Sequence, residues 1–352
     1  ERALRARARR QIRRVIEEQF VILADESAHW RVAGLTQLER LRLSLGERSV
    51  AVCWSPEPPP AGGRILNSHL FLHRKALPDF LAAAPRIESD TSSWEELANA
   101  FQKSCPTAAT WRFLHSPNEI PAAERDFLRR MGKPQDGVVS RFLNRPLTRP
   151  LTRFVLKFPI TPTNWTLGIF VLPLLTAFFL GRGSYWSIVS GTAIYQLYSM
   201  LDGCDGEIAR AKFLESKRGG RIDDLCDICG ALLFVVALGV GLSRSLGWFY
   251  AAEGIALAAL IAVNEWLLHQ PIVEAPAVVS EAAYPRHRQL LGTLGNSLLA
   301  RAALQITKRD VGILLFLLLA LAGLPQWILH PWLLVTVGTF SLTMTKKLRA
   351  AL

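Results

Sequence analysis

Asp202-Gly203-Cys204-Asp205-Gly206-Glu207-Ile208-Ala209-Arg210, then eight residues, Gly219, three more, Asp223, three more, Asp227: this stretch decides how the chain is read. Its four aspartates fall within 26 residues and lie between two long apolar runs. A carboxylate in such surroundings is costly unless it is paired or metal-bound. Asp202 and Asp205 are three apart and Asp223 and Asp227 four apart, so each pair shares one face of a helix. Gly206 and Gly219 remove side chains where helices or a nucleotide must come close. Two helix ends presenting four carboxylates to each other make a site for hard, oxygen-seeking divalent cations. That points to phosphate chemistry in a membrane.

Outward from this stretch, six apolar segments follow one another at about 164–181, 185–213, 220–243, 247–269, 310–324 and 327–346. Each approaches the roughly 20 residues needed to span a bilayer; the fifth is short. Six spans put both ends of the region on one side. The loops on that side hold Lys212, Lys217, Arg218, Arg221, Arg286, Arg288, Arg301, Lys308 and Arg309, against little more than Arg182 and Arg244 opposite. The excess of cations places both termini, the aspartates and the stretch 270–309 on the cytoplasmic side.

The preceding half differs in character. Residues 1–18 read as a basic helix in solvent or on a membrane surface rather than a signal peptide. Phe20–Ala24 and Ser49–Trp54 read as buried strands, Ile65–Leu72 as a third and Thr110–Leu114 as a fourth. Helices are expected over Leu35–Leu45, Lys75–Ala84, Ser93–Ser104 and Ala122–Met131. Alternating strands and helices predict a small α/β layer with parallel pairing. In 141–157, Arg141, Arg145, Arg149, Arg153 and Lys157 recur every four residues between apolar side chains. The segment is amphipathic, with prolines that break regular helix, and is expected at the cytoplasmic membrane face. The organisation is therefore 1–120 as a cytoplasmic α/β accessory domain, 121–160 as linker and interfacial segment, and 161–352 as the membrane domain. The fold class is an integral membrane, all-α six-helix bundle preceded by a small cytoplasmic α/β domain.

The chain has 352 residues, half of them hydrophobic, and a net charge of +12. That balance favours anionic lipid headgroups or phosphorylated substrates. No recognition helix or aromatic-interleaved basic patch points to nucleic acid. Cys226 and Cys229 have C-x-x-C spacing but no partner pair, so they read as small packing residues rather than a zinc site. His269, His287 and His330 lie near helix ends and read as interfacial.

The gapped spacing Asp202, Asp205, Gly206, Ala209, Arg210, Gly219, Asp223, Asp227 resembles the signature of the CDP-alcohol phosphotransferase family, with every position filled. The resemblance runs from about Thr161 to the C-terminus. Thr161-Pro162-Thr163-Asn164-Trp165-Thr166 is similar to the family's Thr-Pro-Asn-x-x-Thr start of the first membrane helix, with one residue inserted between Pro and Asn. The resemblance implies transfer of a substituted phosphate from a CDP-alcohol donor to an acceptor hydroxyl, with release of CMP. It implies one or two Mg²⁺ or Mn²⁺ ions on Asp202, Asp205 and Asp223. Asp227 would complete the metal site and act as general base. Thr166, Asp202, Gly206, Ala209, Arg210, Gly219 and Asp223 would bind the CDP. Arg149, Arg153, Lys157, Arg288, Lys308 and Arg309 are candidates for an acceptor phosphate, each competing with a reading as a snorkelling interfacial cation. A homodimer in the bilayer is also implied.

The N-terminal half faintly resembles a sugar-nucleotidyltransferase domain of the kind some members carry. Yet Ala24-Asp25-Glu26-Ser27-Ala28-His29-Trp30 stands where a glycine-rich phosphate loop belongs, which implies a degenerate, non-catalytic relative. This arrangement resembles the branch that joins CDP-inositol to an inositol phosphate, a di-myo-inositol-phosphate-phosphate synthase-like reaction. The alternatives are a phospholipid synthase using CDP-diacylglycerol, and a non-catalytic membrane scaffold. A scaffold would gain nothing from four buried acids.

Overall fold

The central strand of the N-terminal region, β1 (Phe20–Ala24), is apolar and buried at all five positions, as a strand flanked on both sides must be. The computed structural model describes residues 19–60, 62–73, 75–83, 93–104, 108–132, 136–269 and 308–351. Residues 1–18, Arg288, His287 and nearly all of the 270–309 stretch lie outside the described residues.

After β1 come β2 (Arg31–Val32), β3 (Leu35–Thr36), α1 (Gln37–Leu45), β4 (Val50–Trp54), β5 (Arg64–Asn67), β6 (Leu70–Leu72), α2 (Leu77–Ala83), α3 (Trp94–Ser104), β7 (Trp111–Phe113) and α4 (Ile120–Arg130). The sheet order is β4-β1-β5, both pairings parallel, with Phe20 opposite Val50 and Arg64. The expected parallel layer is therefore present, with one difference. The run Ile65–Leu72 is two strands, because the chain turns at Ser68-His69. There Asn67 Oδ1 accepts the His69 N–H at 2.9 Å, and the Ser68 N–H reaches back to Leu23 O at 2.9 Å. β6 then pairs antiparallel with β7. Helix starts follow local chemistry. Thr36 and Glu39 form a capping box on α1, and Ser93 and Glu96 exchange the same two bonds ahead of α3.

Arg40 on α1 is fully buried. Its guanidinium donates to Val32 O at 2.8 Å and lies about 5.1 Å from the ring centres of Phe71 and Phe127. Glu124 on α4 supplies the nearby negative charge, accepting from Ala33 N–H at 3.0 Å and from Arg153 Nε at 2.6 Å. Burial drives the Arg40 pKa down to about 9 despite the opposing pull of Glu124.

The next segment departs from expectation. A π-helical turn at Ser140–Asn144 leads into α5 (Arg145–Val155), which runs on through Pro150. Pro146 sits in the first turn, where its missing donor costs little, and Pro150 removes a single ladder bond. Burial of Asn144, Arg145, Thr148 and Thr152 holds the helix. Phe142 in the π-helical turn and Leu147 and Phe154 on α5 are exposed.

The helices that follow are α6 (Pro162–Ile169), α7 (Val171–Arg182), α8 (Tyr185–Lys212), α9 (Lys217–Leu246), α10 (Phe249–His269), α11 (Arg309–Leu321) and α12 (Leu329–Ala351). Among the described residues four stretches are long and apolar enough to cross a membrane: Pro162–Arg182, Lys217–Leu246, Phe249–Leu267 and Pro325–Thr345. α8 has the length, at 28 residues, but carries the acids and bases of the signature. α11, at 13 residues, extends roughly 20 Å and falls short of a 30 Å hydrocarbon core. α9 and α10 approach closely at Gly239 and Gly254, where a Cβ on Gly254 would stand 2.7 Å from Val235 O. Outward-facing Leu174, Phe178, Ile255, Val263, Trp266 and Leu334 are exposed, as lipid-facing side chains are.

The chain forms two compact units. One comprises Glu1–Met131 with Thr152–Pro159 and Glu207–Leu214; the other comprises Gly132–Leu151, Ile160–Gly206 and Glu215–Leu352. Each has its own apolar core, around Ile22, Leu66, Phe80 and Phe101 in the first and around Tyr195, Phe234, Leu238 and Leu329 in the second.

Candidate active site

The signature acids stand on two helices of the second unit. α8 carries Asp202 and Asp205, and α9 carries Asp223 and Asp227. Local sequence sets where these helices and the neighbouring α6 begin. Thr161 caps α6 by accepting the Asn164 N–H at 3.2 Å, with Pro162 at the first helical position. Asn164 thus enters through its backbone, and its side chain is exposed. Ser216 caps α9 by accepting the Gly219 N–H at 3.0 Å. A Cβ on Gly219 would lie 3.0 Å from Ser216 Oγ, so the signature glycine keeps this cap tight.

Asp202, Asp205 and Asp223 bring one carboxylate oxygen each within 4.8 Å of the others. Asp223 Oδ1 is buried and accepts no hydrogen bond among the described residues. At an effective dielectric near 20, each pair of such charges repels by at least about 3.5 kcal/mol. Three hard oxygens with one unsatisfied buried acceptor fit a divalent cation. Thr166, buried on α6, lies 2.9 Å from Asp205 Oδ2 and 3.1 Å from Pro162 O; its one proton serves one of these at a time. Asp205 also accepts the Gly206 N–H.

Asp227 stands outside this cluster. Arg309, at the start of α11, grips both of its oxygens, with one arm at 2.7 Å. Tyr198 donates to Asp227 Oδ1 at 3.1 Å. Tyr198 was not singled out from the sequence, although it precedes Asp202 by one helical turn and so shares its face. Arg145 was singled out only as part of the basic repeat. It donates to Gly203 O at 2.5 Å and pairs with Asp136 at 3.4 Å. A Cβ on Gly203 would meet Arg145 Nη1 at 2.6 Å, which accounts for a glycine there. Asp310 accepts the Ser140 N–H at 2.6 Å, and Lys308 Nζ lies 3.4 Å from Asp136 O. The α11 start is thereby tied to the segment ahead of α5.

The remaining expected residues are distributed as follows. Arg149, Lys308 and Arg309 belong to the unit that holds the acids; Arg153, Lys157, Ala209 and Arg210 belong to the other. Arg153 is engaged by Glu124. Lys157 is exposed. Glu207 is fully buried and accepts from Thr152 Oγ1 at 2.7 Å. Asp224 is exposed. Cys226 and Cys229 are free thiols on α9. His330 does not stand alone at its helix end: Nδ1 meets the buried Glu253 at 2.6 Å.

The family model described as CDP-alcohol phosphatidyltransferase matches residues 161–344. A protein of Rubrobacter xylanophilus named bifunctional IPC transferase and DIPP synthase is 31% identical over 247 residues, 64% of this chain and 56% of that protein. Proteins of the same name match over shorter stretches. The one from Thermococcus kodakarensis is 32% identical over 40% of this chain and 32% of its own length. The one from Aquifex aeolicus is 30% identical over 47% and 39%. The chain thus spans about half, or less, of the length of these relatives.

Proposed function

The chain belongs to the CDP-alcohol phosphatidyltransferase family, and from that premise we propose that it transfers a substituted phosphate from a CDP-alcohol to an acceptor hydroxyl, releasing CMP. The observation that carries this reading is the convergence of Asp202, Asp205 and Asp223 beside the apolar bundle. These three residues would hold one or two Mg²⁺ or Mn²⁺ ions. A bound divalent ion would neutralise charge on the pyrophosphate and on the departing CMP.

The chain's own residues do the rest. Thr166 steers Asp205 through its hydroxyl. Gly206 and Gly219 leave room for the cytidine. Asp227 takes the proton of the acceptor hydroxyl as its oxygen bonds to the alcohol-bearing phosphorus and the bond from that phosphorus to CMP breaks. Tyr198 and Arg309 hold the Asp227 carboxylate in place beforehand. Arg309 must release at least one oxygen for the proton to be taken, and an incoming anionic acceptor offers it a second partner. Arg149, Lys308 and Arg288 are further candidates for that acceptor.

The donor we favour is CDP-inositol and the acceptor an inositol phosphate, supported by the names of the relatives. The N-terminal unit is read as non-catalytic. Its β1 is followed by Asp25, which caps a short turn through the Ser27 N–H, in place of a loop that could cradle phosphates. Placement in the membrane has support of its own. Exposed Trp186, Trp248 and Trp327 sit at helix ends away from the acids, as an interfacial aromatic belt does. Sixteen residues of α8 separate Trp186 from Asp202, roughly 24 Å of helix. The acids would then lie near the opposite, cation-rich interface, read as cytoplasmic, in a six-helix domain that pairs with a second copy.

Purified chain supplied with CDP-inositol and an inositol phosphate, and separately with CDP-diacylglycerol and polar alcohols, tests the reading. A phosphodiester product from the first pair supports it. A lipid product only would reassign the donor. CMP release from no pair, by chain shown to be folded, would overturn the assignment of activity.

A further inference from the structure

A cavity of about 170 Å³ opens in the first unit at the carboxyl ends of β1 and β5, far along the chain from the signature acids. Asp25, Asn67, His69, Trp94, Asn99 and Gln102 contribute to its wall. Crevices at the carboxyl ends of parallel strands are where α/β layers bind ligands. What this one accepts is set by three features.

The first is an unsatisfied donor. Asn67 is 1% exposed. Its Oδ1 is fixed by the His69 N–H, which settles which end of the amide is which, and Nδ2 has no partner among the described residues. A buried donor left alone costs about 1–3 kcal/mol, which a ligand oxygen would recover. The second is charge. His69 Nε2 meets Asp25 Oδ2 at 2.9 Å and Nδ1 meets Leu114 O at 2.5 Å. Both neighbours only accept, an arrangement that favours the doubly protonated ring, and in that form His69 neutralises Asp25. The Ser27 N–H and the Ser68 hydroxyl complete the shell of that carboxylate. Among the described residues no lysine or arginine lines the cavity, and Glu95 adds a negative charge, which disfavours a phosphate. The third is shape. The volume, about 170 Å³, suits a ligand of monosaccharide size, and the cavity is open on one side. One wall is the indole of Trp94, whose N–H is turned to Cys53 O at 3.4 Å, leaving its face for C–H groups.

We propose that this cavity is a second binding site, for a small uncharged polyol of monosaccharide or cyclitol size, with Asn67 Nδ2 donating to a ligand hydroxyl and the amides of Asn99 and Gln102 closing the rim. The site is independent of the transfer reaction and concerns what the N-terminal unit recognises.

Isothermal titration of the full chain in mild detergent tests it, with glucose and myo-inositol as probes and inorganic phosphate and CTP as contrasts. At least one polyol binds and the anions do not displace it. Asn67→Asp keeps the acceptor but removes the donor, and weakens binding at least tenfold. Asn99→Trp, at an exposed rim position, fills the mouth without disturbing the core and abolishes binding while leaving CMP release unchanged. Asp205→Asn, in the other unit, leaves polyol binding intact. Absence of polyol binding by the wild-type chain overturns the proposal. So does binding that survives Asn99→Trp, or a cavity that takes CTP in preference to the polyols.

Discussion

Asp227 and Arg309 are 82 residues apart in the chain and meet in a two-armed ion pair. The residue pattern marked both, one as the last acid of a helical face and the other as a cation heading a later apolar segment, but no spacing rule joins residues so distant. Because Asp227 is assigned the proton, Asp227→Asn should lower the rate of CMP release by about 10²–10⁴-fold with little change in donor affinity. An unchanged rate would remove it from the reaction. In the N-terminal unit, pH is the readout. Burial alone would raise the Asp25 carboxyl, but hydrogen bonds from His69 and Ser27 more than offset it, leaving it well below the usual carboxylate range. Burial alone would lower His69, but bonds to Asp25 and Leu114 O leave it above its ordinary 6.5. Burial, with Arg130 and Arg40 nearby, takes His73 down to about 4. The stability due to His69 is complete below pH 6.5 and is lost as pH rises through its folded value. That due to neutral His73 is lost as pH falls from 6.5 towards 4, and that due to Asp25 is lost below about 4. Unfolding of this unit, followed thermally, should therefore be most resistant near pH 6.5, and His69→Gln should flatten the alkaline limb. A monotonic profile in the wild type would contradict these assignments.

Helices and strands were legible where one rule dominated. Phe20–Ala24 and Val50–Trp54 are apolar runs with no competing reading, and they pair in parallel as expected. Ile65–Leu72 misled because its break is made by a side chain, Asn67, bonding to the backbone two residues on. α5 misled in the other direction, since buried polar contacts outweigh Pro150, whose local preference is against helix. The buried charges gave no signal either. Arg40 and Glu124 look like ordinary helix-surface residues in sequence, and only packing shows that Glu124 answers both Arg40 and Arg153. Removing Glu124 strands two cations, so Glu124→Ala should destabilise the first unit by about 3 kcal/mol or more. Loss of less than 1 kcal/mol in chemical unfolding would mean solvent already screens them. Gly254→Val should likewise lower stability by about 1–3 kcal/mol, because its added carbons meet Val235 O across the α9–α10 contact. A thermal midpoint equal to wild type would show that the helices can part there without cost.

At the scale of the whole molecule, the two units differ in kind. One carries a parallel layer, and the other gathers three carboxylates beside helices apolar enough to enter a bilayer. Helical periodicity made legible that Asp202 shares a face with Asp205 and Asp223 with Asp227, whereas the approach of Asp223, without Asp227, to the first pair depends on how two helices pack and left no mark in the spacing. The central claim is that the Asp202, Asp205 and Asp223 cluster holds the ion on which transfer depends. The most direct measurement is CMP release from a CDP-alcohol by the purified full chain as Mg²⁺ or Mn²⁺ is titrated after chelation, for the wild type and for Asp223→Asn. The account predicts no release without the ion, saturable recovery as either ion returns, and a loss of at least about 10²-fold in the variant across the titration. Release that persists under chelation, or an Asp223→Asn variant that matches the wild type, would contradict it.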